Sequence, residues 1–258
     1  MTAPAGPSWV VLKFGGTSVS SEPNWRNIVR IVRERGATGT HVLVVHSAVS
    51  GITDRLEKLL GAALQGQHAE ALAAIEQRHE TLAAELGVEP GPELRQRFAE
   101  LRQITEGVAL MGEISDRTRA RVMAMGELLA TVLGARYLRS QGIEAQWVDA
   151  RKLLQTEERR GATARASYLS ATCGFAPDAA LAAELGRLGR VVITQGFIAS
   201  DAAGDTVLLG RGGSDTSAAY LAAKLAARRL EIWTDVPGMF SANPRSTPTA
   251  RQLRTLTY

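Results

Sequence analysis

The sequence predicts an α/β fold: an open, mainly parallel sheet sandwiched between helix layers, with a long helical insertion. Three observations carry that expectation. The runs Trp9-Val-Val-Leu-Lys-Phe14 and His41-Val-Leu-Val-Val-His46 are almost continuously apolar, as strands buried on both faces are. Each is followed by a loop of small residues and then by helical spacing, the order that builds parallel strands between helices. Finally, the composition is 5% aromatic and rich in Ala, Leu and Gly, which argues against an aromatic-rich β-sandwich.

The elements follow in order. Residues 9–14 form the first strand, which Gly15-Gly16-Thr17-Ser18 breaks. Residues 24–35 place Trp25, Ile28, Val29 and Val32 on one side of a helix. Residues 41–46 make the second strand, and 47–53 a loop. From 54 to about 142 the pattern is almost wholly helical, with one break near Gly87-Val-Glu-Pro-Gly-Pro92, and this insertion is expected to form one side of the active-site cleft. Residues 143–148 read as a strand, 176–187 as a helix and 190–195 as a strand. A strand at 206–209 is expected to pair with that predecessor through the turn Asp201-Ala-Ala-Gly-Asp205. A helix at 214–227 and a strand at 230–234 complete the pattern, and no internal repeat is present.

Composition excludes several classes. The formal charge is only +4, and the arginines alternate with glutamates, as around 95–102, so a solvated helix face explains them better than a nucleic-acid groove. Cys173 is the only cysteine, which rules out an intrachain disulfide and reads as a small core residue. His41, His46, His68 and His79 lack metal-ligand spacing and read as surface or packing residues. Neither a signal-peptide pattern nor a run of membrane-spanning length is found, so the expectation is a soluble, cytoplasmic chain with no nucleic-acid or membrane partner.

Three segments have the chemistry of phosphoryl transfer. In Lys13-Phe-Gly-Gly-Thr-Ser18, glycines after a strand let backbone N–H groups approach phosphate oxygens, Thr17 and Ser18 add hydroxyls, and Lys13 places an ammonium at the strand end. The lysine precedes the glycines, so this is not a Walker A loop, and a plain strand-to-helix turn explains the segment equally well. In Gly210-Arg-Gly-Gly-Ser-Asp-Thr216 a glycine loop opens a helix, whose N-terminus attracts anions. Arg211 suits a bidentate carboxylate, while Ser214 or Asp215 also suits an ordinary N-cap. In the third, Thr234 and Asp235 end a strand where open α/β sheets present ligands, before the Pro237-Gly238 turn. Its plain alternative is turn chemistry with Phe240 packed inward.

Taken in order, Lys13 to Val19, Ser47 to Thr53, Met125-Gly-Glu-Leu128, Thr194-Gln-Gly-Phe-Ile198, Arg211 to Thr216 and Trp233 to Arg245 resemble the motifs of aspartate kinases. The resemblance implies the amino acid kinase fold and transfer of the ATP γ-phosphoryl group to the β-carboxylate of L-aspartate, the first step of lysine, threonine and methionine biosynthesis. It implies that Lys13 stabilises the transferred group and Asp215 orients it, as the catalytic pair. Gly15, Gly16 and Ser214 would contact ATP phosphates, with Thr17 beside them. Arg211 would hold the substrate α-carboxylate and Glu127 its ammonium, with Ser47, Thr53 and Phe197 shaping that pocket. Thr234, Asp235, Phe240 and Arg245 would line the nucleotide site, and Mg²⁺ would be bound mainly through the nucleotide phosphates, without a protein metal site.

Two residues depart from the family pattern: Phe240 stands where tyrosine is usual and Asn243 where aspartate is. The resemblance also shapes the expected organisation. Residues 1–8 are a flexible tail and 9–258 an amino acid kinase catalytic domain, truncated at its C-terminal end and without ACT domains. A homo-oligomer is expected, as is a fused downstream enzyme domain. The alternatives are a related amino acid kinase acting on another carboxylate, or a nucleotide-binding fragment without catalysis.

Overall fold

The computed structural model describes residues 8–157, 161–210, 212–235, 238–244 and 246–255. Among them, strands β1 (Trp9–Phe14), β2 (His41–His46), β3 (Ala145–Trp147), β4 (Val191–Gln195) and β7 (Arg229–Trp233) form one sheet in the order β3-β4-β2-β1-β7. Every pairing in it is parallel. Strands β5 (Ile198–Ser200) and β6 (Thr206–Leu208) form a separate antiparallel pair. The helices are α1 (Glu22–Gly36), α2 (Ile52–Leu64), α3 (His68–Glu85), α4 (Gly91–Met111), α5 (Asp116–Ser140), α6 (Ala164–Leu169), α7 (Ala179–Leu188) and α8 (Gly213–Lys224).

Period-two alternation assigns the faces. Val10, Leu12, Phe14, Val42 and Val44 belong to the core shared with α1 and with α2 to α5. Trp9, Val11, Leu43, Val45 and Val192 belong to the core shared with α7 and α8. Lys13 is the odd-numbered residue next in that second series, so its side chain leaves β1 on the α8 side. The α-helical layer on the opposite face is led by α5, buried almost all around, with Ala, Gly and Leu letting it press against the sheet.

Register aligns the strand ends. Phe14 is level with His46 and Trp233, and His46 with Gln195. The backbone ladder continues one step further: Ser47 N–H donates to the Phe14 carbonyl and Gly196 N–H to the His46 carbonyl. The loops therefore leave the C-terminal sheet edge together, where ligands of open α/β sheets bind.

Four expectations need correction. The strand at 206–209 does not pair with 190–195; its partner is β5, which starts after the chain turns at Phe197. The stretch 54–142 is four helices, with Gly66 and Gly112 in left-handed conformation at breaks additional to the one near Gly87. Helix α6 was not foreseen; Thr163 caps it by accepting from Ala166 N–H. Neither Ser214 nor Asp215 is the N-cap of α8: Gly212 is, at φ 71°, and no side chain caps it. His46, His79 and Cys173 are buried packing residues, as expected.

Candidate active site

Two of the three segments with phosphoryl-transfer chemistry converge on one cavity, and the third, at 234–245, does not reach it with any of its described residues. One cavity of about 850 Å³ is lined by Lys13, Ser47, Thr53, Glu127, Phe197, Ser214 and Asp215. Lys13 arrives from the end of β1, Ser47 from the end of β2, Thr53 from the start of α2, and Glu127 from the middle of α5. Phe197 follows β4, while Ser214 and Asp215 sit in the first turn of α8. From the insertion, then, only α2 and α5 reach the cleft among its lining residues; α3 and α4 pack behind them.

Lys13 is nearly buried, and its Nζ lies 2.7 Å from Oδ1 of the half-exposed Asp215. The ammonium is thus held at the cavity floor, with the helix α8 N-terminus close by. That helix comes near because residues 196–197 and 213–214 touch without side chains between them. A Cβ on Gly213 would meet the Phe197 ring at 2.7 Å, and one on Gly196 would meet Ser214 Cβ at 2.6 Å. Phe197 itself sits at φ 68°, a costly conformation for a non-glycine residue. Two bonds hold it: its N–H donates to Ser217 Oγ at 2.7 Å, and its carbonyl accepts from Leu209 N–H at 2.8 Å.

Glu127 is the electrostatic anomaly. Only 3% of it is exposed; Oε1 accepts from Ala48 N–H at 3.1 Å and Oε2 has no partner. Burial pushes its carboxyl up to about 8, against the opposing pull of the Ala48 bond. A buried carboxyl with an unpartnered oxygen beside a cavity is costly unless a further polar group pairs with it. On the same face of the sheet-end loops, His46 donates through Nδ1 to the Ser47 carbonyl at 2.8 Å, and burial lowers its pKa to about 4, so it remains neutral.

The nucleotide set divides. Gly15 lies beside Lys13 Nζ and Gly16 against the Ala48 carbonyl, and neither lines the large cavity. Thr17, Thr234 and Asp235 instead line a second cavity of about 230 Å³, with Phe14, Trp233 and Asn24. Thr234 Oγ1 donates to Asp235 Oδ1 at 3.1 Å. Phe240 is half-buried, bridges to Gln252 through the backbone, and lines neither cavity. Arg211, Arg245 and Pro237 of the expected turn lie outside the described residues. Among the described residues no group of three or more His, Cys, Asp or Glu is arranged to hold a metal ion.

Sequence reasoning missed six lining residues: Asp54, Thr163, Arg165, Ala166, Leu169 and Ser170 also line the large cavity. Thr163 ahead of an alanine-rich stretch was the available signal, as a helix N-cap. Arg165 carries no motif at all.

Comparisons with known proteins place the chain in a family. Residues 8–258 match the model of the amino acid kinase family. Lysine-sensitive aspartokinase 3 of Escherichia coli (strain K12) is 35% identical over 96% of this chain and 54% of its own length. An aspartokinase of Chlamydia muridarum is 33% identical over 96% of the chain and 53% of its own length. The chain therefore spans about half the length of these relatives. A crystal structure of E. coli aspartokinase III in complex with aspartate and ADP superimposes with a TM-score of 0.81, at 35% identity, over 95% of this chain and 53% of that one.

Proposed function

The chain belongs to the amino acid kinase family, and from that premise we propose that it is the kinase portion of an aspartokinase, moving the γ-phosphoryl group of ATP to the side-chain carboxylate of L-aspartate. One observation supports this reading most: the unpartnered Glu127 oxygen lines the same cavity as the Lys13–Asp215 pair. A free amino acid presents an ammonium, which Glu127 receives, while its side-chain carboxylate turns toward Lys13. The E. coli aspartokinase III structure with aspartate and ADP points the same way.

The chemistry asks little of the protein beyond position and charge. A carboxylate oxygen of aspartate bonds to the γ-phosphorus as the bond from phosphorus to the β,γ-bridging oxygen breaks, and ADP departs with that electron pair. The attacking carboxylate is already ionised at neutral pH, so no general base is required. Lys13 stabilises charge on the transferred group, and Asp215 fixes the ammonium in place. Ser47, Thr53 and Phe197 shape the acceptor pocket, with Arg211 holding the α-carboxylate. Gly15, Gly16, Thr17 and Ser214 meet phosphates; Thr234, Asp235, Phe240 and Arg245 serve the rest of the nucleotide. Mg²⁺, when bound through the phosphates, neutralises their charge.

The proposal extends to the setting: residues 9–258 as kinase domain, a cytoplasmic location and a homo-oligomer. Among the described residues no helix is long and apolar enough to cross a membrane. A fused enzyme domain has a parallel in the Arabidopsis thaliana relative named bifunctional aspartokinase/homoserine dehydrogenase 2, which is 30% identical over 99% of this chain and 28% of its own length.

An aspartate-dependent hydroxamate assay with ATP and Mg²⁺ tests the reading. Hydroxamate formed by the chain and abolished by Lys13→Ala is the expected result. A folded chain that binds neither ADP nor L-aspartate in calorimetry would overturn it.

A further inference from the structure

Behind Glu127 lies a buried polar knot that no step above uses. Thr131 is one turn further along α5 and fully buried. Its hydroxyl donates to the Glu127 carbonyl at 2.8 Å. The same oxygen accepts from Gln195 Nε2 at 2.7 Å and from Trp147 Nε1 at 3.0 Å. Gln195, also fully buried, accepts through Oε1 from Ala150 N–H at 2.7 Å. One hydroxyl thus saturates its single donor and both acceptor positions, tying α5 to β4, β3 and the 3₁₀ turn Ala150–Lys152.

We infer that Thr131 and Gln195 are positioning residues for the amino-acid acceptor, holding the Glu127 turn of α5 at a fixed height against the sheet end. The inference rests on the proposed function above. It follows from what the surroundings leave open. The Glu127 carboxyl has a single bond of its own, to Ala48 N–H, so its aim depends on where its backbone stands. Apolar packing around α5 resists collapse but permits small sliding along the helix axis. A hydroxyl bonded to three partners on three elements does not. Gln195 also precedes Gly196 and Phe197, so one side chain links the pocket's Glu127 wall to its Phe197 wall. Buried networks of this kind are expensive to leave half-made, which gives them one geometry.

Thr131→Val keeps the shape and removes the hydroxyl, leaving Gln195 Nε2 and Trp147 Nε1 without their acceptor. Thr131→Ser restores the oxygen with a smaller side chain. Isothermal calorimetry of the folded chain with L-aspartate and, separately, with ADP reads the effect. Thr131→Val is expected to weaken L-aspartate binding about tenfold while ADP binding stays within about twofold, as a sub-ångström misplacement of one contact group would do. Thr131→Ser and Gln195→Glu, which keeps the Oε1 acceptor, are expected to lie between the two. Equal losses for both ligands, or Thr131→Ser no better than Thr131→Val, would overturn the inference. Glu127→Ala run alongside separates the failures: if it spares aspartate affinity, the reading of the site falls. If Glu127→Ala alone weakens aspartate, the positioning role falls.

Discussion

The interior of the sheet at β1 and its β7 edge live under different constraints. Strand β1 is buried at every position, and α5 behind it is packed almost all around. Among the described residues strand β7 pairs with β1 along one side only, and none of its residues is fully buried, with Ile232 51% exposed. The cavity-lining residues Lys13 and Glu127 belong to the centre, whereas Thr234 and Asp235 hang from the edge. In the first region geometry is dictated by packing from all sides; in the second it rests on one neighbouring strand, on α8 and on the Arg35–Glu231 ion pair.

The largest effect should come from the centre's own cation. Lys13→Ala should lower hydroxamate formation by at least about 10³-fold, the scale of losing a preorganised electrostatic partner, with the circular dichroism spectrum unchanged. A loss below tenfold would mean that the central cation is not where charge develops.

Glu127→Gln comes next and should show two opposite signs. L-aspartate affinity should fall by about 10–100-fold, as loss of a hydrogen bond to a charged group does. Stability should rise instead. Below the ordinary carboxylate pKa both folded and unfolded chains carry the proton, so the change has no effect there. From that value up to about 8 the folded chain keeps its proton and the unfolded chain loses it, so stability falls as pH rises. Glu127→Gln removes this slope, and its Tm should exceed that of the unmutated chain by roughly 5–10 °C at pH 8, the gap closing toward pH 4. Aspartate affinity of the unmutated chain should strengthen with pH up to about 8, because binding the ammonium needs the ionised carboxylate.

Packing alone is tested by Gly134→Ala. A Cβ there would fall 2.4 Å from Trp25 Cη2 and 2.9 Å from His46 Nε2, so about 1–3 kcal/mol should be lost in urea unfolding. The smallest effect belongs to the edge. Ile232→Thr should change unfolding free energy by no more than about 0.5 kcal/mol, and a larger loss would show that β7 is as constrained as β1.

The same contrast explains what the sequence reveals. The strands at 9–14 and 41–46 were legible because burial on both faces leaves an unbroken apolar run. The hairpin was misread because β5 is three residues long and begins at Phe197, whose left-handed backbone no side-chain pattern announces. The helical breaks at Gly66 and Gly112 were hidden for a similar reason: a single glycine ends a helix without changing the periodicity around it. Within the site, Lys13 and Asp215 were legible from their glycine-rich settings. Glu127 was legible only through family resemblance, since an acidic residue inside an apolar helix has no local signature. Arg165, alone among alanines, was not legible at all.

The state of Glu127 before ligand arrives bears on the speed of capture. An amino acid with a second carboxylate carries net negative charge in water. Were Glu127 ionised in the open pocket, the approaching acceptor would meet a like charge before its ammonium had found its place. On the function proposed above, a Glu127 held neutral by burial spares the acceptor that repulsion, and ionisation accompanies seating. The barrier to encounter is thereby moved to a step in which the compensating ammonium is already at hand.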